Sequence, residues 1–66
     1  MIIQVNDKVH NIEKGTTLAS FMASLNIVQK GLAVAIDQEI IPKKEWEGFV
    51  LTEGMSLILI HAVSGG

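Results

Sequence analysis

The chain has 66 residues, enough for one domain, and a domain of this size buries only about 60% of its unfolded surface. It has no cysteine, so neither a disulfide framework nor a thiolate metal site is available, and a 48% hydrophobic content has to supply the core unaided. The formal net charge is −2, and all five basic residues are lysine; without the bidentate guanidinium fork, recognition of a nucleic acid backbone is not expected.

The opening residues Met1-Ile2-Ile3-Gln4 carry no basic region followed by a long apolar stretch, and no apolar run approaches a membrane span. The expectation is a cytoplasmic protein that engages no membrane and works with a protein partner. Residues 2–6 read as a strand with Ile3 and Val5 inward and Gln4 and Asn6 outward. Asn6-Asp7-Lys8 is a turn, and residues 9–12 return as the second strand of a hairpin, closed by Glu13-Lys14-Gly15. Thr16-Thr17 supplies a hydroxyl N-cap. Leu18, Phe21, Met22 and Leu25 then fall at i, i+3, i+4 and i+7, one apolar face of an α-helix of roughly ten residues. Ala19, Ser20, Ala23 and Ser24 fill the other face, Asn26 is the stop, and Gln29-Lys30-Gly31 is loop.

Leu32-Ala33-Val34-Ala35-Ile36 is apolar without alternation, as in a strand covered on both sides. Asp37-Gln38 is a turn, and Glu39-Ile40-Ile41 is a short strand ended by Pro42. Residues 43–47 are polar except for Trp46 and read as a surface turn of helix with Trp46 pinned to the core. Phe49-Val50-Leu51 is predicted as a small satellite cluster, and residues 52–55 as a turn. Residues 56–63 form the last strand. The predicted order is β-β-α-β-β-β in a single domain, 1–66. This is an α+β fold with one helix packed on one face of a mixed five-strand sheet, and the first and last strands sit near the centre.

One short helix, about 15 Å long at ten residues, covers one face of a sheet and not both. Yet Leu57-Ile58-Leu59-Ile60 places apolar side chains on both faces, because neighbours in a strand alternate sides, and residues 32–36 do the same. Either residues 43–51 fold over the second face, or that face is an apolar surface for a partner; the second is preferred. The remaining chemistry-bearing side chains point to no catalytic site. His10 and His61 without cysteine make a poor metal site. Lys43-Lys44 reads as a solvated turn. Glu45 and Glu47, two apart, do not share a helix face. Ser20, Ser24, Ser56 and Ser64 have no base in view. The expectation is a non-enzyme with no metal and no bound cofactor.

The sequence ends His61-Ala62-Val63-Ser64-Gly65-Gly66. Two glycines thread a narrow slot that side chains would block and present a carboxylate with no Cβ beside it. A carboxylate is a poor electrophile until it is joined to a good leaving group such as AMP, after which a sulfur or nitrogen nucleophile can take the acyl group.

Together these features resemble the ubiquitin-like β-grasp sulfur carriers, and most closely the ThiS family of thiamin biosynthesis. The stretches that carry the resemblance are Gly15-Thr16-Thr17-Leu18 before the helix, residues 33–43 with Pro42-Lys43 and then Trp46, and the ending Val63-Ser64-Gly65-Gly66. Two positions depart from the family pattern: Asp37 where asparagine is usual, and Met55 where an acidic residue follows the glycine of the last turn. The resemblance implies that Gly66 is adenylated by an E1-like, ThiF-type enzyme using ATP and magnesium. Gly66 would then become a thiocarboxylate with sulfur drawn from cysteine by a desulfurase, and would donate that sulfur to thiazole synthase. Gly65 is then the spacer, Val63 and Ser64 line the partner's channel, and 64–66 is a flexible tail. One face of Leu57, Ile58, Leu59 and Ile60 would dock the activating enzyme. Two alternatives stay open: the carrier of molybdopterin synthase or of another sulfur metabolite, and a β-grasp module or lysine-linked tag that carries no sulfur.

Overall fold

In the computed structural model, residues 1–27 and 30–61 are described. β1 (Ile2–Val5) and β2 (Lys8–Asn11) form an antiparallel hairpin with Ile3 opposite His10 and Val5 opposite Lys8. The connection is two residues, Asn6 and Asp7, both left-handed (φ 46° and 71°), so Lys8 belongs to the strand and not to the turn. A two-residue loop with positive φ at both positions matches the twist of the strands it joins, and Asn and Asp tolerate that region better than other residues with a Cβ. Asp37 and Gln38 repeat the device between β3 (Leu32–Ile36) and β4 (Glu39–Ile41), with φ 52° and 69°. Asp37 therefore takes up the left-handed conformation this turn requires.

The helix α1 (Leu18–Ser24) is shorter than expected, seven residues. Thr17 caps it: its Oγ1 accepts from the Ser20 amide at 3.1 Å. Leu25 is the C-cap, and Asn26 leaves the helix in the left-handed region (φ 56°), which ends it where the periodicity alone would have continued. Leu18, Phe21 and Met22 are buried, and Leu25 and Ala19 pack against them. Ala19 thus belongs to the buried side and not to the solvent face.

A helix about 10 Å long leaves much of the sheet uncovered. Residues 43–51 fill the gap on the same side as the helix. Lys43–Gly48 is a 3₁₀ helix, η1, whose Trp46 is buried and donates its indole N–H to the Ile41 carbonyl at 2.9 Å. The Leu18 amide donates to the Phe49 carbonyl at 2.7 Å and the Leu51 amide to the Thr16 carbonyl at 2.9 Å. These bonds tie the segment to the start of α1. Leu51, 1% exposed, joins the main core with Ile3, Val34, Ile41 and Leu57, so the expected satellite cluster does not exist.

The sheet order is β2-β1-β5-β3-β4, with β5 (Ser56–His61) at the centre. β5 runs parallel to β1 (Gln4 opposite Ser56, Val5 opposite Leu57) and antiparallel to β3 (Val34 opposite Leu59, Leu32 opposite His61). The first and last strands do share the centre, and the sheet is mixed, which together with one helix on one face is the β-grasp arrangement. Gly54 (φ 80°) makes the turn into β5, and Met55, the second departure from the family pattern, packs its side chain against the core while its carbonyl accepts from the Gln4 amide at 2.9 Å. Of the expected last strand, 62 and 63 lie outside the described residues, as does the whole of the expected flexible tail, 64–66.

Candidate docking face and the root of the carboxyl tail

The alternation of β5 divides the expected patch in two. Leu57 is fully buried and Leu59 half-buried, both on the helix side and packed in or against the core. Ile58 and Ile60 face the other way, 47% and 46% exposed. Cross-strand register extends their surface: Ile58 lies opposite Ala35, Ala35 opposite Ile40, and Ile60 opposite Ala33. Ile40 is 56% exposed. Ala35, although on the uncovered face, is 8% exposed because the larger Ile40 and Ile58 flank it. The result is a shallow apolar field with two alanines as its floor and three isoleucines as its rim. Towards the hairpin side of the same face, Ser56, Gln4 and Asn11 interrupt the apolar residues Ile2 and Val9. The field adjoining β3 and β4 is the continuous part.

The face is open because residues 43–51 pack with the helix. Ile40 was not part of the sequence-derived apolar surface, whereas residues 32–36, which include Ala33 and Ala35, were read as apolar on both faces. Their alternation within β3 and β4 was readable, but their placement beside β5 follows from strand order, which no local pattern encodes.

β5 leads directly into residues 62–66. At its end Asn6, the first residue of the hairpin turn, reaches across from β1. Its Oδ1 accepts from the Leu59 amide at 2.9 Å, and its Nδ2 donates to the Leu59 carbonyl at 3.3 Å. Sequence reasoning placed Asn6 at the outward end of the first strand and the start of the turn, without this contact to β5.

Of the two histidines, His10 stands on the inward side of β2, half-buried, with its ring edge-on to Phe21 at 5.5 Å between centroids. His61 ends β5 opposite Leu32. Among the described residues, no group of three or more His, Cys, Asp or Glu side chains is placed to hold a metal ion. No helix among them is long and apolar enough to cross a membrane.

Gly66, Gly65, Ser64 and Val63 lie outside the described residues, so the site is bounded here by its root and its docking face. The arrangement offers a flat apolar surface on a sheet whose central strand points its carboxyl end toward residues 62–66.

Comparison with known proteins agrees in length, fold and family. The chain is 30% identical over 66 residues, all of both chains, to the sulfur carrier protein ThiS of Escherichia coli strain K12. It is 29% identical over 66 residues to a thiazole synthase of Magnetococcus marinus, covering all of this chain but 20% of that protein. The crystal structure of the thiamine biosynthesis protein ThiS from Geobacter metallireducens superposes with a TM-score of 0.86 over the whole of both chains at 16% identity, which establishes the shared fold. The sequence model of the ThiS family matches residues 3–66, nearly the full length, and the chain belongs to the ThiS family.

Proposed function

We propose that the carboxyl group of Gly66 is the working part of this molecule, carrying sulfur for thiazole formation in thiamin biosynthesis. Membership of the ThiS family makes the chain a sulfur carrier and not a catalyst. The observation that carries the assignment to Gly66 is that the family match runs through residue 66, diglycine included. In the proposed sequence, a carboxylate oxygen of Gly66 attacks the α-phosphorus of ATP, with magnesium on the phosphates, and pyrophosphate leaves. The terminal sulfur of a persulfide then attacks the acyl carbon and AMP leaves; a thiol next attacks the donor-side sulfur of the resulting acyl disulfide, breaking its S–S bond to form a new disulfide and release the thiocarboxylate. An E1-like, ThiF-type enzyme performs the first step, and a cysteine desulfurase supplies the sulfur. Thiazole synthase receives it; that a relative named thiazole synthase contains a segment similar to this whole chain supports that partner. None of these steps needs a catalytic side chain from the carrier. Gly65 and Gly66 suit a channel too narrow for a Cβ, which Val63 and Ser64 would line behind them.

The field of Ile58, Ile60 and Ile40 is proposed as the surface the activating enzyme grips, since exposed apolar patches of this kind mark partner sites. Binding on a rigid sheet while the tail reacts separates affinity from chemistry.

The test is the intact mass of the protein purified from its own host grown without thiamin. A fraction heavier by the exchange of one oxygen for sulfur, mapped to the C-terminal peptide and lost when thiamin is supplied, is expected. A single unmodified mass under both conditions counts against it. Deleting Gly65 and Gly66 is expected to abolish carrier activity without unfolding the domain, whereas a simple binding module would keep its partner.

A further inference from the structure

We propose that Asn6 is a positioning residue for the chemistry at the tail: its side chain extends the edge of β1 by clamping β5 at Leu59, two residues before that strand ends. This deepens the function proposed above and rests on it. The parallel ladder between β1 and β5 pairs Gln4 with Ser56 and Val5 with Leu57, and the Asn6 amide donates to the Leu57 carbonyl at 3.0 Å. There the β1 backbone turns away, at φ 46° and 71°, to begin β2. The next peptide groups of β5 on that edge are the N–H and C=O of Leu59. The Asn6 carboxamide meets both, accepting from one at 2.9 Å and donating to the other at 3.3 Å. A carboxamide carries an acceptor and a donor side by side, as a backbone residue does, so Asn6 stands in for one more residue of β1. Beyond it, Ile60 and His61 keep their register with Ala33 and Leu32 of β3.

The consequence concerns reach. Gly66 follows Leu59 by seven positions, at most about 25 Å of extended chain, so the point and direction at which β5 is held bound the region within which the Gly66 carboxylate can be presented. Misplacing a reacting atom by about 1 Å costs roughly a hundredfold in rate. Asn6 lies in a turn and outside the isoleucine field, so its loss should disturb presentation of the tail and not docking.

The experiment uses the full chain with an E1-like adenylating enzyme, ATP and labelled pyrophosphate, reading pyrophosphate exchange together with amide hydrogen exchange by NMR. Asn6→Gly retains the positive φ at no steric cost and removes the clamp. Asn6→Asp keeps an acceptor for the Leu59 amide and removes the donor. Asp37→Gly makes the same change at the matching position of the other hairpin and serves as the control. For Asn6→Gly, we expect protection of the Leu59 amide to fall roughly fivefold or more. We expect kcat for exchange to fall roughly ten- to hundredfold with KM within about twofold of wild type. Asn6→Asp should lie between, and Asp37→Gly should match wild type in both. Unchanged Leu59 protection in Asn6→Gly overturns the clamp. Lost protection with unchanged kcat, or a rise in KM alone, overturns the positioning role. A wild-type chain that supports no exchange overturns the carrier function and the positioning role together; that failure is distinguishable because the variants' loss of protection is read without the enzyme.

Discussion

Leu57 and Trp46 show how much single side chains matter in a domain this small. Leu57 is fully buried at the centre of the sheet, with Val5 and Ile36 as its cross-strand partners, in a core to which different segments contribute Ile3, Val34 and Leu51, so a void left there is not easily filled by collapse. Leu57→Ala is expected to cost about 3 kcal/mol in urea unfolding, within the range of about 2–5 kcal/mol for such truncations. A loss below about 1 kcal/mol would mean that the site relaxes freely. Trp46→Phe removes the indole donor from the Ile41 carbonyl in a buried setting and is expected to cost about 1–3 kcal/mol. Trp46 could be picked out in the sequence as the one apolar residue of a polar stretch. Asn6 could not, because a turn asparagine with its side chain in water and one bridging two strands have the same local signature.

At the level of β5, alternation separates two neighbours of equal size into different roles. Ile58→Glu places a charge on the open face, so the domain should stay folded with near wild-type stability and fail to bind the activating enzyme. Leu59→Glu places the charge on the side packed against the core and is expected to lower stability by several kcal/mol, since an unpaired charge cannot be buried cheaply. Circular dichroism and pull-down of both variants check this. Ile58→Glu protein that still binds would remove the isoleucine field from the proposed interface. The helix teaches a related lesson. Leu18, Phe21, Met22 and Leu25 are spaced as one face, and all four do pack inward, yet the helix proper ends at Ser24 because Asn26 takes the left-handed conformation. Periodicity reports which side is buried more faithfully than where an element stops.

For the whole molecule, the parallel pairing of β1 with β5 joins the two ends of the described chain, and Thr16, Leu18, Phe49 and Leu51 lash the helix to the segment that follows the sheet's edge. No part of the core is assembled from one stretch of sequence. Unfolding is therefore expected to be a single cooperative step, with far-ultraviolet circular dichroism and Trp46 fluorescence giving coincident urea transitions. A fluorescence change preceding the loss of sheet signal would show that the η1 segment detaches on its own.

The elements of this fold, the inward residues of β1, the apolar stripe of α1, Trp46 and the family were legible in the sequence. They depend on local periodicity, on capping and turn residues such as Thr17, Asn6-Asp7 and Asp37-Gln38, and on the order of short motifs along the chain. The destination of residues 43–51, the company Ala35 and Ile40 keep with Ile58, and the grip of Asn6 on Leu59 were not. Each is a contact between segments distant in sequence, settled by how strand order and a seven-residue helix divide two faces of one sheet. Because the helix is too short to cover its own side, residues 43–51 complete that layer, and the opposite face is left to the isoleucines.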